Sequence, residues 1–95
     1  MTEPVTRRLR ITGRVQGVGY RDWCLRTARA ANLTGWVRNR ADGAVEAVVQ
    51  GTAVKVETFV AACHAGPPLA RVTAVEATPE DAPDLEPGFR QLPSV

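Results

Sequence analysis

Apolar and polar residues alternate along Arg8–Val15 through Leu9, Ile11 and Val15, the period-two pattern of a half-buried strand. Gln16-Gly17-Val18-Gly19 breaks that period as a turn. From 21 to 32 the period lengthens: Tyr20, Cys24, Ala28 and Ala31 share one face of a helix, with Arg26 and Arg29 off it. Asn32 suits a left-handed helix stop. Residues 34–40 and 44–50 read as two strands, joined through Ala41-Asp42-Gly43, whose Asp-Gly pair signals a hairpin. Val56, Phe59, Val60 and Cys63 follow helical spacing in a second helix over 52–65, which Gly66-Pro67-Pro68 ends. Residues 70–78 form a strand in which Val72 and Val75 are spaced oddly. Either a bulge separates them or only one faces the core. The acidic, proline-rich 79–88 reads as an exposed loop, and Phe89–Leu92 as a short strand at a sheet edge.

The order is β-α-β-β-α-β with a possible fifth strand. It predicts an α+β, ferredoxin-like split βαβ sandwich, an antiparallel sheet with two helices on one face. Within this plan the first and third strands are expected to be parallel neighbours with their helices alongside. Cys24, early in one helix, and Cys63, late in the other, would then lie several turns apart. At about 1.5 Å per residue that is too far for a disulfide, so both are expected to be structural thiols.

Composition narrows the partners only slightly. The 95 residues suit one domain, 1–95, and 44% apolar content supports a packed core. Net charge is +2, but it is uneven. Residues 1–40 carry nine arginines against Glu3 and Asp22, a net of +7, and residues 41–95 sum to −5. A basic half attracts anions, although most of these arginines fit solvated faces. The cysteines form no CxxC or Cys/His cluster, so no metal site is expected. Met1–Arg10 has no apolar run of the signal-peptide kind, and no stretch approaches the ~18 apolar residues of a membrane span. The expectation is a cytoplasmic chain with no membrane partner and, with nothing pointing to assembly, a monomer.

The candidate chemistry lies in Gly13-Arg14-Val15-Gln16-Gly17-Val18-Gly19-Tyr20-Arg21. At a strand–glycine loop–helix junction, successive backbone N–H groups can converge on one anion beside the positive end of the helix dipole. Arg21 adds a planar fork that fits two phosphate oxygens. The glycines alone fit an ordinary tight turn equally well. No Gly-Lys-Ser/Thr follows, which excludes a Walker A loop, and Asp22 stands where a dinucleotide fingerprint needs its third glycine.

Ile11-Thr12-Gly13-Arg14-Val15-Gln16-Gly17-Val18-Gly19-Tyr20-Arg21 resembles the first signature of the acylphosphatase family, and Gly35-Trp36-Val37-Arg38-Asn39 with Gly43, Val45 and Gly51 resembles the second. The resemblance covers roughly Arg8 to Val75. It implies hydrolysis of the carboxyl–phosphate bond of small acyl phosphates without a cofactor or metal. It also implies that Arg21 binds phosphate, that Val15, Gln16, Gly17, Val18, Gly19 and Tyr20 form the cradle, and that Asn39 orients the attacking water. Tyr20 stands where many relatives have Phe.

The residue types suit that chemistry. A carboxylate is a weak-base leaving group, so no strong general acid is required. The loose phosphoryl transition state is catalysed by positioning and charge. An Asn carboxamide can orient water without being a strong base. A phosphate oxygen then serves as the base, as the family implies. Asp22 reads as a first-turn residue facing the dipole, Trp23 and Trp36 as packing residues, and Glu46 as solvated or paired with an arginine. Glu80, Asp81, Asp84 and Glu86 read as loop charges. A phosphate-binding module without turnover is the rival reading. RNA binding, on the same plan, would need aromatics on the first and third strands, where there are none, so no nucleic-acid partner is expected.

Overall fold

The computed structural model describes residues 3–81 and 85–95. Ala82, Pro83 and Asp84, part of the expected acidic loop, lie outside the described residues. The elements are β1 (Val5–Arg14), α1 (Tyr20–Ala30), β2 (Thr34–Asn39), β3 (Val45–Gly51), α2 (Ala53–Cys63), β4 (Arg71–Pro79) and β5 (Phe89–Gln91). The sheet order is β4-β1-β3-β2-β5. Every pairing is antiparallel except that of β5 with β2, which makes the sheet mixed. Among the described residues no helix is long and apolar enough to cross a membrane.

Local signals produced the elements they predict. Asn32 sits at φ 57°, with Leu33 N–H donating to Ala28 O at 2.9 Å and Asn32 N–H to Arg29 O at 3.0 Å. These are the paired bonds of a Schellman stop, which satisfy carbonyls that α1 would otherwise leave bare. The β2–β3 hairpin closes through Arg40 N–H on Ala44 O at 2.8 Å, with Gly43 at φ 95°. Asp42 accepts Ala44 N–H at 3.0 Å, which together with Arg10 holds its carboxyl below the ordinary range. The odd spacing in β4 is a bulge: Thr12 pairs with Ala74 but Gly13 with Val72, so Thr73 is the extra residue. Val72 and Val75 consequently both pack on the core.

One expectation about direction is overturned. β1 and β3 are antiparallel. The crossover makes β1 and β2 run the same way, and the hairpin reverses β3, so the strand between them opposes both. The helices are therefore antiparallel as well. The start of α1 meets the end of α2, where the Tyr20 hydroxyl donates to Cys63 O at 2.6 Å. The end of α1 shares a cleft with the start of α2 through Thr27, Ala31, Val54 and Thr58. Cys24 and Cys63 are thus neighbours, not several turns apart. Both are free thiols, fully buried. Hydrogen bonding with Cys63, then burial, pushes the Cys24 thiol well above its ordinary range.

The core lies between sheet and helices. Leu9 and Ile11 of β1, Val37 of β2, and Val45, Ala47 and Val49 of β3 face Tyr20, Cys24, Ala28, Val56, Phe59 and Cys63. Trp23 stacks on Phe59, whose ring also meets that of Phe89. Trp36 does not join this core. It lies on the opposite, helix-free face, with the Arg38 guanidinium 4.8 Å and that of Arg8 5.7 Å from its ring centroid. Val48, whose strand partners are Trp36 and Arg8, is buried on that face.

Glu46 holds the centre of the open face. It accepts from Arg38 Nε at 2.8 Å, from Arg40 Nη1 at 3.3 Å and from Arg8, and Arg8 also pairs with Glu80 at 2.8 Å. Glu80, expected to be a loop charge, is therefore an ion-pair partner of β1. Burial works against the Glu46 carboxylate, but the Arg38 hydrogen bond and the charges of Arg38, Arg8 and Arg40 outweigh it and hold its carboxyl below the ordinary range. A lowered folded-state value contributes stability above the unfolded value of about 4.3, and that contribution is lost as pH falls through the folded value. Glu46→Gln is expected to cost about 1–2 kcal/mol at pH 7, because it leaves part-buried guanidiniums without their charged acceptor. The deficit should close toward pH 3. Urea unfolding of both proteins at pH 7 and pH 3 checks this, and a deficit independent of pH contradicts it.

Candidate active site

The β1–α1 junction is built to leave backbone donors unclaimed. α2 begins with a conventional cap, the Thr52 hydroxyl accepting Lys55 N–H at 3.3 Å. α1 begins on Gly19 at φ 83°, ψ 17°, with no side-chain cap. Gly17 is also left-handed, at φ 74°, so both turns need the conformation that glycine enters without a Cβ clash. Among the described residues, the N–H groups of 16–22 donate to no protein acceptor. All of these residues except Val18 border a hollow of about 150 Å³ lined by Val15, Gln16, Gly17, Gly19, Tyr20, Arg21, Asp22, Asn39 and Gln91.

Anchors on the core side hold the loop open. Val15, Val18 and Tyr20 bury their side chains in the core. Val18 is the one residue of the expected cradle that does not line the hollow. Burial pushes the Tyr20 phenol well above its ordinary range, helped by its neighbours Cys63 and Cys24. Its hydroxyl is occupied by Cys63 O, so Tyr20 can offer the hollow only its backbone and ring edge. Gln16 acts as a strap: its Nε2 donates to Arg40 O at 2.8 Å and Ala44 O at 2.9 Å. Both amide protons are spent on the hairpin, which ties the loop to the turn following Asn39. The hydrogen-bond donor that Gln16 can offer the hollow is therefore its backbone N–H, not its carboxamide.

Three side chains supply the remaining chemistry. Arg21, in the first turn of α1, is half-buried and forms no ion pair among the described residues. By contrast, Arg8, Arg10, Arg38 and Arg40 each pair with a carboxylate of the sheet or its hairpin turn. Asp22 accepts from Arg26 Nε at 3.0 Å, which offsets its charge near the hollow. Asn39 ends β2, and its Oδ1 is buried with no hydrogen-bond partner among the described residues. A buried, unpaired carbonyl oxygen is costly in a folded protein and requires a partner. Gln91, on β5, was not anticipated from the sequence. Its position at the hollow depends on β5 pairing beside β2, and no local pattern in Phe89–Leu92 carries that information. Among the described residues no group of three or more His, Cys, Asp or Glu side chains is placed to hold a metal ion.

The arrangement combines unclaimed N–H groups, a helix N-terminus, an unpaired guanidinium and an orphaned carboxamide oxygen. Such a set can hold a tetrahedral oxyanion on one side and a water on the other. Comparison with known proteins agrees with that chemistry. The acylphosphatase family model matches residues 7–91. The chain is 54% identical over 87 residues to an acylphosphatase of Rhodospirillum rubrum, covering 92% of this chain and 94% of that protein. It is 53% identical over 85 residues to one of Acidiphilium cryptum, covering 90% and 92%. The acylphosphatase structure from Bacillus subtilis superposes with a TM-score of 0.88 at 34% identity, over 93% of this chain and 98% of that one.

Proposed function

This chain belongs to the acylphosphatase family and hydrolyses acyl phosphates, and we propose that Arg21 and the 15–20 loop bind the phosphate while Asn39 orients the attacking water. The phosphate oxygens take the N–H groups of 16–22 and the Arg21 fork. Negative charge there is favoured by the α1 dipole and by the charge-assisted hydrogen bonds. The observation that carries the water assignment is that Asn39 lines the same hollow and its buried Oδ1 lacks a hydrogen-bond partner among the described residues. Water oxygen then bonds to phosphorus, the acyl–oxygen–phosphorus bond breaks on the acyl side of phosphorus, and the carboxylate departs with the electron pair. The water's second proton passes to a phosphate oxygen, so the products are carboxylate and dihydrogen phosphate. The leaving carboxylate is already a weak base, and the reaction therefore proceeds without a metal or cofactor. The protein works as a single-domain monomer in the cytoplasm, where its two free thiols stay reduced.

Asn39→Ala separates positioning from binding. Turnover of benzoyl phosphate without added metal is expected to lose roughly 10²–10³-fold in kcat, the scale of one pre-organised polar contact. Competitive inhibition by inorganic phosphate should stay within about twofold, because the cradle is untouched. An Asn39→Ala protein with wild-type kcat sinks the water assignment. Phosphate binding by a folded wild type that turns over no acyl phosphate favours a binding module instead.

A further inference from the structure

Asn39 is not the only carboxamide in the hollow. β5 runs parallel to β2 with Gln91 opposite Val37. Val37 and Phe89 both face the core, so by strand alternation Asn39, two residues beyond Val37, and Gln91, two beyond Phe89, point to that same side of the sheet. The backbone that follows holds the placement: Leu92 N–H donates to Val37 O at 2.9 Å and Val95 N–H to Asn39 O at 3.0 Å. With strands about 4.8 Å apart and about 3.3 Å of rise per residue, the two Cα positions are diagonal neighbours roughly 8 Å apart. Both residues line the hollow. Among the described residues the Gln91 carboxamide has no hydrogen-bond partner, whereas Gln16, the other carboxamide at this site, is spent on Arg40 O and Ala44 O.

We propose that Gln91 shares the attacking water with Asn39, as a second carboxamide that fixes its orientation. The proposal rests on the water assignment made above for Asn39. A water has two O–H groups and two lone pairs. One O–H on Asn39 Oδ1 and the other on a phosphate oxygen leave the molecule free to rotate its lone pairs only slightly, but neither contact selects which lone pair meets phosphorus. A Gln91 Nε2–H donated to one lone pair leaves the other aimed at phosphorus. The proton balance is unchanged: the phosphate oxygen takes one water proton as the oxygen–phosphorus bond forms, and the carboxylate leaves with the electron pair. Two groups hydrogen-bonded to one water at about 2.8 Å each lie about 4.6 Å apart, which a Gln and an Asn side chain on diagonal positions can span.

A double-mutant cycle tests this. Gln91→Met keeps the side chain's length and removes its polar atoms at an exposed position. In the wild-type background it is expected to lower kcat for benzoyl phosphate about tenfold, with KM and inhibition by inorganic phosphate within about twofold. In the Asn39→Ala background the same substitution should cost less than about twofold, because the water it helped to orient is no longer held. Losses that multiply fully across the two backgrounds overturn the shared water. A rise in KM and weakened phosphate inhibition with kcat preserved also overturns it, and places Gln91 against substrate instead. Asn39→Ala with wild-type kcat removes the water site itself and Gln91's part with it. A crippled Asn39→Ala beside an unaffected Gln91→Met leaves that site standing and refutes Gln91 alone.

Discussion

Arg21→Ala is expected to lower kcat/KM for benzoyl phosphate by roughly 10³–10⁵-fold, the range over which single arginines act in phosphoryl transfer. In the proposed roles the charge on the equatorial oxygens is met by backbone N–H groups, which are dipoles, and by one guanidinium, which is a full charge in a fork of matching geometry. Removing it forfeits ground-state grip as well as transition-state stabilisation. Inhibition by inorganic phosphate should therefore weaken together with turnover, unlike the result expected for Asn39→Ala. Arg21→Lys should recover little, since an ammonium cannot make the paired contact. The fold should survive, because Arg21 is half-buried and holds no carboxylate among the described residues. Steady-state kinetics with phosphate as inhibitor and a circular dichroism spectrum together decide the matter. A loss under tenfold with intact phosphate inhibition would remove Arg21 from the site.

Gly35→Ala is expected to destabilise the protein by about 4 kcal/mol or more, enough to unfold a domain of ordinary stability or leave it marginal. Gly35 is buried in β2 between β3 and β5, paired with Val49 and Phe89. A Cβ there would lie 1.8 Å from Val48 O and 2.8 Å from Val48 C, in the backbone of the neighbouring strand, so no side-chain rotation relieves it. The φ of 141° adds strain for any residue with a Cβ. Separating β2 from β3 would also displace Asn39, four residues along the same strand, so residual activity should fall further than the folded fraction. Thermal unfolding should show a midpoint lower by about 15 °C or more, by the usual scaling for a domain of this size. A shift under 5 °C would mean that the strands can part there at little cost.

The features legible in the sequence are those decided within a few residues. Asn32 stops α1 because Asn tolerates positive φ, and Asp42-Gly43 turns the hairpin because the loop needs a left-handed residue. Gly17 and Gly19 turn the chain between β1 and α1 because a residue without a Cβ enters positive φ freely. Arg21 and Asn39 stand out in the sequence as candidates for a second reason, two signatures in the right order with the two residues 18 positions apart, and the structure brings both to one hollow. The bulge at Thr73 was half-legible, since periodicity records that a register slips but not on which strand the extra residue lies.

What lies next to what was left to the tertiary structure. Periodicity tells which face of an element is buried and nothing about its neighbour's direction. The antiparallel run of β1 and β3 follows from joining a crossover to a hairpin, and with it come antiparallel helices and the contact of Cys24 with Cys63. Trp36 reads as a packing residue by type, and strand alternation decides what it packs on, the guanidiniums of the open face. The commitment of Gln16 to the hairpin carbonyls exists only once the β2–β3 hairpin lies beside the first loop, and Gln91 reaches the site only once β5 has closed the sheet edge on β2. Such long-range pairings are fixed by the burial and hydrogen bonding of the whole sheet, and no window of a few residues holds that information.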